Sequence, residues 1–352
     1  MKLLHTADLH LDSVLEANLD AGLAADRRRE LLLTFGRMVT YAADNGVSVF
    51  LIAGDLFDTP HPAPDAEHYV LSVIADHPEI DFLVLGGNHG GAYAPYDPPR
   101  NYHTFSDRDY TVYRYGNVTI AGSENNAAFG LLPALDPADI NIVMLHGALT
   151  DSTSDLTGIN PKFYRGRNID YLALGHYHSY RKDALDARGV LCYCGTPEGR
   201  GFDEVGEKGF VLIDTASDKL SSVFIPFAKR QIRQVTVDIS RLFNQRDIEK
   251  AVTAALVGIP ASDMVRVTLR GYAEPEMHKD PRQIAAMLDG KYFFSEVLDE
   301  SNLSLRPEAY RTDISLRGEF VRTVMQSGLP RQDMERIIQC GLRALGGEEL
   351  PE

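Results

Sequence analysis

LLHTADLH (residues 3–10) is an apolar run that stops at Asp8 and His10, and four later segments repeat its design. They are VFLIAGD (49–55), FLVLGGNH (82–89), IVMLHG (142–147) and YLALGHYH (171–178). An apolar run of this length that ends on a polar tip reads as a buried strand whose carboxyl end meets a ligand crevice. The tips supply Asp8, His10, Asp55, Asn88, His89, His146, His176 and His178, all side chains able to bind a metal ion or a phosphate.

The chain has 352 residues, too many for one ordinary core, so about two domains and a tail are expected. No apolar run reaches the roughly 18–20 residues of a membrane span, and the first residues lead straight into a strand, so no membrane association and a cytoplasmic location are expected. Three cysteines, Cys192, Cys194 and Cys340, argue for reduced thiols rather than a disulfide framework. The formal net charge is −15, the opposite of the basic footprint of proteins that hold nucleic acid by counterion release. Local basic clusters exist at Arg27-Arg28-Arg29, at Arg165 with Arg167, and at Lys229-Arg230 with Arg233. Each reads first as a solvated face and second as a phosphate track.

From the start to about residue 227, strands alternate with helical stretches, such as the amphipathic segment 24–45 before the strand 47–53. Strands come closer together after residue 117, as expected for two sheets packed face to face with helices outside. Three domains are expected: 1–230, 231–301 and 302–352. The second combines strands at 235–239, 264–270 and 294–298 with helices at 247–256 and 281–288, and reads as a small α+β cap without catalytic residues. The third holds helices at 318–325 and 331–345. The apolar stripe of the last helix, Met334, Ile337, Ile338, Leu342 and Leu345, suits either folding back on the chain or docking in a partner's groove.

A pair of divalent ions about 3.5–4 Å apart can clamp a phosphate ester, and such a pair needs a bridging carboxylate with mixed nitrogen and oxygen donors. Asp55, alone at a strand end after Gly54, is the best bridge. Asp8 and His10, two apart on an extended segment, should point the same way, as should His176 and His178. Asn88 offers a carbonyl oxygen and His146 an imidazole, donors suited to manganese, iron or zinc. His89 follows Asn88 directly and is better placed beside the phosphate than on a metal. Asp58, three residues past Asp55, reads as a turn cap.

The order Asp-x-His, Gly-Asp, Gly-Asn-His, His-Gly, Gly-His-x-His resembles that of the calcineurin-like metallophosphoesterases. This resemblance implies an α/β fold, a four-layer α-β-β-α sandwich. DLHLDS (8–13), GDLFD (54–58), YLALGHYH and CGTPEGRGFDEVGEKGF (194–210) look like the bacterial DNA repair exonucleases of the SbcD and YhaO type. VRVTLRG (265–271) resembles their capping domain, and GEFVRTVM (318–325) with GLRAL (341–345) the YhaO-type tail. The implied protein is a manganese-dependent nuclease subunit, often a homodimer, that acts on DNA with an SbcC-type SMC-like ATPase. One ion would fall to Asp8, His10, Asp55 and His178, the other to Asp55, Asn88, His146 and His176, with His89 as the catalytic residue. The chain departs from the family after His89, where Gly90-Gly91 replace the usual Asp or Glu, leaving Asp58 or Asp97 as substitutes to orient the ring. A small-molecule phosphodiesterase and a catalytically weak scaffold for the ATPase remain as alternatives.

Overall fold

The computed structural model describes residues 1–15, 19–88, 95–217, 219–273, 277, 279–303 and 310–347, and the chain forms two compact units, Met1–Ile232 and Arg233–Glu352. The first unit contains β1 (Lys2–Thr6), α1 (Ala21–Asp44), β2 (Val47–Ala53), α2 (Pro64–Ala75), β3 (Asp81–Leu85), β4 (Tyr102–Thr104), β5 (Thr111–Tyr115) and β6 (Val118–Gly122). It continues with β7 (Ile140–His146), β8 (Tyr171–Gly175), β9 (Arg181–Ala184), β10 (Val190–Tyr193), β11 (Gly209–Asp214) and β12 (Ser221–Pro226). Two six-stranded sheets result, ordered β12-β11-β1-β2-β3-β4 and β5-β6-β7-β8-β10-β9. Strands β1 to β4 run parallel in one sheet, and β6, β7, β8 and β10 in the other.

Strand periodicity explains why the two sheets stack. In β2, Phe50 and Ile52 turn to one face and pack with Leu31, Phe35, Met38 and Val39 of α1, while Val49, Leu51 and Ala53 turn to the other. There they meet Ile142 and Met144 of β7 and Ala173 of β8 between the sheets. Both faces of these strands are dry, so the strands read as unbroken apolar runs. The helices α1 and α2 cover the first sheet. The outer face of the second carries Val143, Leu145, Leu172 and Leu174 under loops and two short 3₁₀ helices, Asn126–Leu131 and Pro161–Phe163. Among the described residues, no helix is long and apolar enough to cross a membrane.

The second unit contains β13 (Ile232–Asp238), α3 (Gln245–Ala255), β14 (Met264–Arg270), β15 (Tyr272–Ala273), α4 (Pro281–Leu288), β16 (Phe294–Asp299), β17 (Asn302–Leu303), α5 (Leu316–Met325) and α6 (Arg331–Leu345). The strand that opens it begins one residue before the unit boundary. Strands β13, β14 and β16 form one sheet, on which Ile248 and Val252 of α3 and Ile284 and Leu288 of α4 close a core. A separate cluster joins Val321 and Val324 of α5 to Ile338 and Leu342 of α6. The stripe of α6 is therefore split, because Ile338 and Leu342 are buried whereas Ile337 and Leu345 are exposed.

Two of the basic clusters each turn one arginine inward instead of presenting a wholly solvated face. Arg27 is fully buried, its guanidinium against Glu30 and 2.6 Å from the carbonyl of Gly199. Arg230 is also buried and pairs with Glu30, and Lys229 Nζ donates to the same carboxylate at 3.0 Å. Arg233 pairs with Asp263 at 2.6 Å. A phosphate track along Lys229-Arg230-Arg233 is thus ruled out for Arg230, whose charge is spent inside the fold.

Burial opposes ionisation of Glu30, but the bonds from Arg230 and Lys229 and the charge of Arg27 outweigh it and bring its pKa from 4.5 to about 2. The ionised form is thus favoured in the folded state. Its contribution to stability is complete above about 4.5 and is lost as the pH falls through about 2. Glu30→Gln removes the carboxylate charge that the buried guanidinium groups of Arg27 and Arg230 share and is expected to cost about 3–5 kcal/mol near neutral pH. Urea unfolding across a pH series should show the gap to wild type closing in acid; a gap independent of pH would deny Glu30 this role.

Candidate metal centre

The five apolar runs end where expected, at the carboxyl ends of β1, β2, β3, β7 and β8, and their tips meet in one crevice. The backbone there is not the extended chain that a period-two reading assumes. Asp8 (φ 52°), His10 (φ 47°), Asp55 (φ 51°) and His176 (φ 111°) all have positive φ, the region that ordinary L residues avoid. Asp8 and His10 converge because β1 stops at Thr6 and the chain coils, not because alternate residues share a strand face. Such strain gathers at functional sites when the surroundings hold it in place.

Here the surroundings are hydrogen bonds between successive loops. Asp8 N–H donates to Gly54 O, His10 N–H to Asp55 O and Asp55 N–H to Gly86 O. Thr196 Oγ donates to Asp8 O at 2.8 Å, and the amide of Gly86 donates to the carboxylate of Glu124 at 2.7 Å. Glycine is required where these loops cross. At Gly54 (φ 101°) a Cβ would lie 2.0 Å from His146 Nδ1, and at Gly87 (φ 84°) 2.2 Å from an Asp55 carboxylate oxygen.

The donors fall into two groups. Asp8, His10 and His178 bring ligand atoms within 4.8 Å of one another, and so do Asp8, Asp55 and His146. Asn88 joins the second group, its Oδ1 lying 2.5 Å from His146 Nε2 and 3.4 Å from His176 Nδ1. Asp55 Oδ2 stands between the groups, 3.3 Å from His146 Nε2 and 3.9 Å from His10 Nε2. Asp8 also belongs to both, and its two oxygens accept the amide of His176 at 3.0 and 2.9 Å. His89 and Gly90 lie outside the described residues.

Each ring of the main set is turned by a partner on Nδ1. His10 Nδ1 lies 2.5 Å from Asp58, His146 Nδ1 2.9 Å from the carbonyl of Ala53, and His178 Nδ1 2.6 Å from Glu204. With the proton on Nδ1, each Nε2 presents a lone pair to the crevice. At His146 this lone pair faces the oxygens of Asn88 and Asp55, three acceptors together, an arrangement that a cation would satisfy. A proton satisfies it in isolation. A hard or borderline divalent ion satisfies it with the whole donor set of carboxylates, imidazoles and one amide oxygen, so the residues fit a metal pair.

The electrostatics agree. Burial raises the Asp8 carboxyl, with the nearby His146 opposing. Burial alone would lower His146, yet its bond to Asp55 and the charge of Asp8 carry it above its ordinary value. His176 is lowered, by burial and then by the charge of His146. The buried Glu204 is held at about 2 because the bond to His178 and the charge of Arg200 outweigh its desolvation.

Asp58 is not the turn cap that its position suggests but the carboxylate that orients His10. Glu204 and Arg200 carry no sequence signal as site residues except their place in the glycine-rich run 194–210, which follows β10 back to the crevice.

The family model of the calcineurin-like phosphoesterases matches residues 1–180, just over half of the chain. The chain belongs to this family. It is accordingly a metal-dependent phosphoesterase of a family that uses a dimetal centre, and the crevice gathers candidate ligand groups. The chain is 26% identical over 249 residues to a DNA double-strand break repair protein Mre11 of Methanopyrus kandleri, covering 61% of this chain and 54% of that one. A protein of the same description from Sulfolobus acidocaldarius is 26% identical over 290 residues, 72% of this chain and 70% of its own length. The chain thus spans between about half and 70% of these relatives. A solved structure from Thermus thermophilus is similar with a TM-score of 0.42 and 14% identity, over 63% of this chain and 98% of that one.

Gly54→Ala is expected to push His146 off its place. Bound metal should fall, and hydrolysis of a small phosphodiester should drop by about 10²-fold, the scale for an ångström of misplacement in an active site. Metal analysis beside the rate decides it: full metal and full rate would show that the crossing tolerates a Cβ.

Proposed function

We propose that this calcineurin-like phosphoesterase is a dimetal phosphodiesterase acting on DNA, the nuclease subunit of a DNA repair system. The observation that carries the reading is the meeting of seven donors in one crevice, in two groups that share Asp8 with Asp55 between them, in a chain whose relatives bear the name of DNA double-strand break repair proteins. Asp8, His10, Asp55 and His178 would hold one ion, and Asp55, Asn88, His146 and His176 the other. Bound there, the ions would activate water for in-line attack on a phosphodiester and stabilise the departing 3′ oxygen. Manganese is the proposed metal, with iron or zinc compatible with the same donors. The protein's own work is to hold the donors rigidly, through the strained turns and the partners on Nδ1. His89 is proposed to stabilise the transition state or protonate the leaving group.

The charge of −15 and the internal pairing of Arg27 and Arg230 support a division of labour in which an SMC-like ATPase of the SbcC type supplies much of the grip on DNA. A homodimer and a cytoplasmic location complete the proposal. All seven candidate ligands lie in the first unit, which supports a capping role for residues 231–301.

One observation favours a second reading. A cavity of about 320 Å³ opens beside Asn88, His146 and His176, walled by Ser123, Glu124, Asn126, Asp155 and Thr157, and is large enough for a small phosphodiester. Assays of single- and double-stranded DNA and of bis-p-nitrophenyl phosphate with manganese, with and without the ATPase, separate the two. DNA cleavage that the ATPase enhances supports the nuclease; turnover of the small ester with DNA untouched in both conditions supports the second reading. Asp55→Ala is expected to remove both ions, because each loses its shared ligand. His89→Leu should keep metal content while the rate falls by about 10² or more; metal lost with the rate would make His89 a ligand instead.

A further inference from the structure

The two halves of the metal centre are backed differently. Behind His146 stands a neutral carbonyl, that of Ala53, and the nearest partner of His176 Nδ1 is the amide oxygen of Asn88. Behind His10 and His178 stand carboxylates, those of Asp58 and Glu204. One guanidinium lies between these two. Arg200 places NH1 3.6 Å from Asp58 Oδ1 and NH2 3.0 Å from Glu204 Oε1, and these are the same oxygens that face the two rings. Its own amide donates to the other oxygen of Glu204 at 2.8 Å.

The surroundings fix this fork. The Arg200 side chain is 18% exposed. On one side, Asp58 is held by its amide on Asp12 at 2.5 Å. On the other, the loop that carries Arg200 is tied to α1 through Gly199 O on Arg27 and Glu198 on Thr34 at 2.8 Å. Lys208 reaches in to donate to the carbonyl of His178 at 2.6 Å.

We propose that Arg200 is a positioning residue that locks Asp58 and Glu204 behind His10 and His178, so that the ion position built on Asp8, His10 and His178 binds its metal more tightly than the position built on Asn88, His146 and His176. Either partner fixes the ring and raises its basicity, but an anionic carboxylate behind an imidazole makes it a stronger donor than a neutral carbonyl does. Two carboxylates this close to Asp8 and Asp55 would also repel them and compete for the ions; the guanidinium offsets half of that charge and holds both carboxylates behind the rings. The inference rests on the two-ion reading above.

The test is calorimetric titration of metal-free protein with manganese, with metal content checked by elemental analysis and folding by circular dichroism. Wild type should bind two ions in separable steps. Arg200→Met should weaken the tight step by about 10–100-fold and leave the weaker step in place, the scale for losing an outer partner of a metal ligand. Arg200→Lys keeps the charge but cannot span both carboxylates, so it should restore part of the tight step. Should Arg200→Met fail to fold, Asp58→Asn takes its place, and selective weakening of the same step is again expected. Equal weakening of both steps, loss of the weaker step alone, or no change overturns the inference while leaving two ions standing. Wild type that binds fewer than two ions overturns the two-ion reading and this inference together.

Discussion

Asp8 carries the structure's central constraint: its carboxylate accepts the amide of His176 on both oxygens, while its own backbone is bonded to Gly54 and Thr196. One residue at the end of the first strand of one sheet thereby touches the end of a strand in the other sheet. The two sheets cannot slide at their carboxyl ends without breaking it. Strained turns at Asp8, His10, Asp55 and His176 cost about 1–3 kcal/mol each. The doubly buried strands β1, β2, β7 and β8 offset that cost, since every apolar side chain of β2 and β7 is enclosed. Rigid sheets below and strained loops above are two sides of one arrangement: the core supplies the free energy that the turns store.

A second tier of charges roots the loop 195–204. Arg27, the bulkiest of the fully buried side chains, holds Gly199 O, and Glu198 is bonded by Thr34 and by the amide of Lys229. Helix α1 therefore does more than cover the first sheet. It anchors the loop whose other face carries Arg200 and Glu204 to the metal centre. Buried ion pairs add little net stability compared with apolar packing, but removing one partner is costly. Such a network specifies one placement of the loop better than it stabilises the fold.

The parts of this architecture that follow from one-dimensional pattern were legible in the sequence. Apolar runs stopping at polar tips located β1, β2, β3, β7 and β8 and ordered their donors, because a strand buried on both faces must be apolar throughout. The helices at 281–288 and 331–345 coincide with α4 and α6, where proline and glycine mark the ends. What the sequence could not show depends on partners distant along the chain. Arg27-Arg28-Arg29 looks like a solvated run until Glu30, Glu198 and Arg230 are seen around its first member. Asp58 looks like a turn residue until His10, 48 residues earlier, is placed against it. Left-handed φ at Asp8 and His10 has no signature at all, since neither is glycine.

These buried pairings bear on how the protein meets a polyanion. Arg27, Arg230 and Arg200 face carboxylates rather than solvent, so three of the 35 Lys and Arg residues are withdrawn from any phosphate-binding surface of an already acidic chain. In the proposed function, positive charge near the crevice would come from bound metal, which would act within a few ångströms of the scissile phosphate, and from a partner, which would act along the length of the nucleic acid. The first orients a single phosphodiester and the second recruits the polymer. Under the function proposed above, the arginines spent on building the centre leave recruitment to the partner, which would separate the chemistry of cleavage from the choice of what is cleaved.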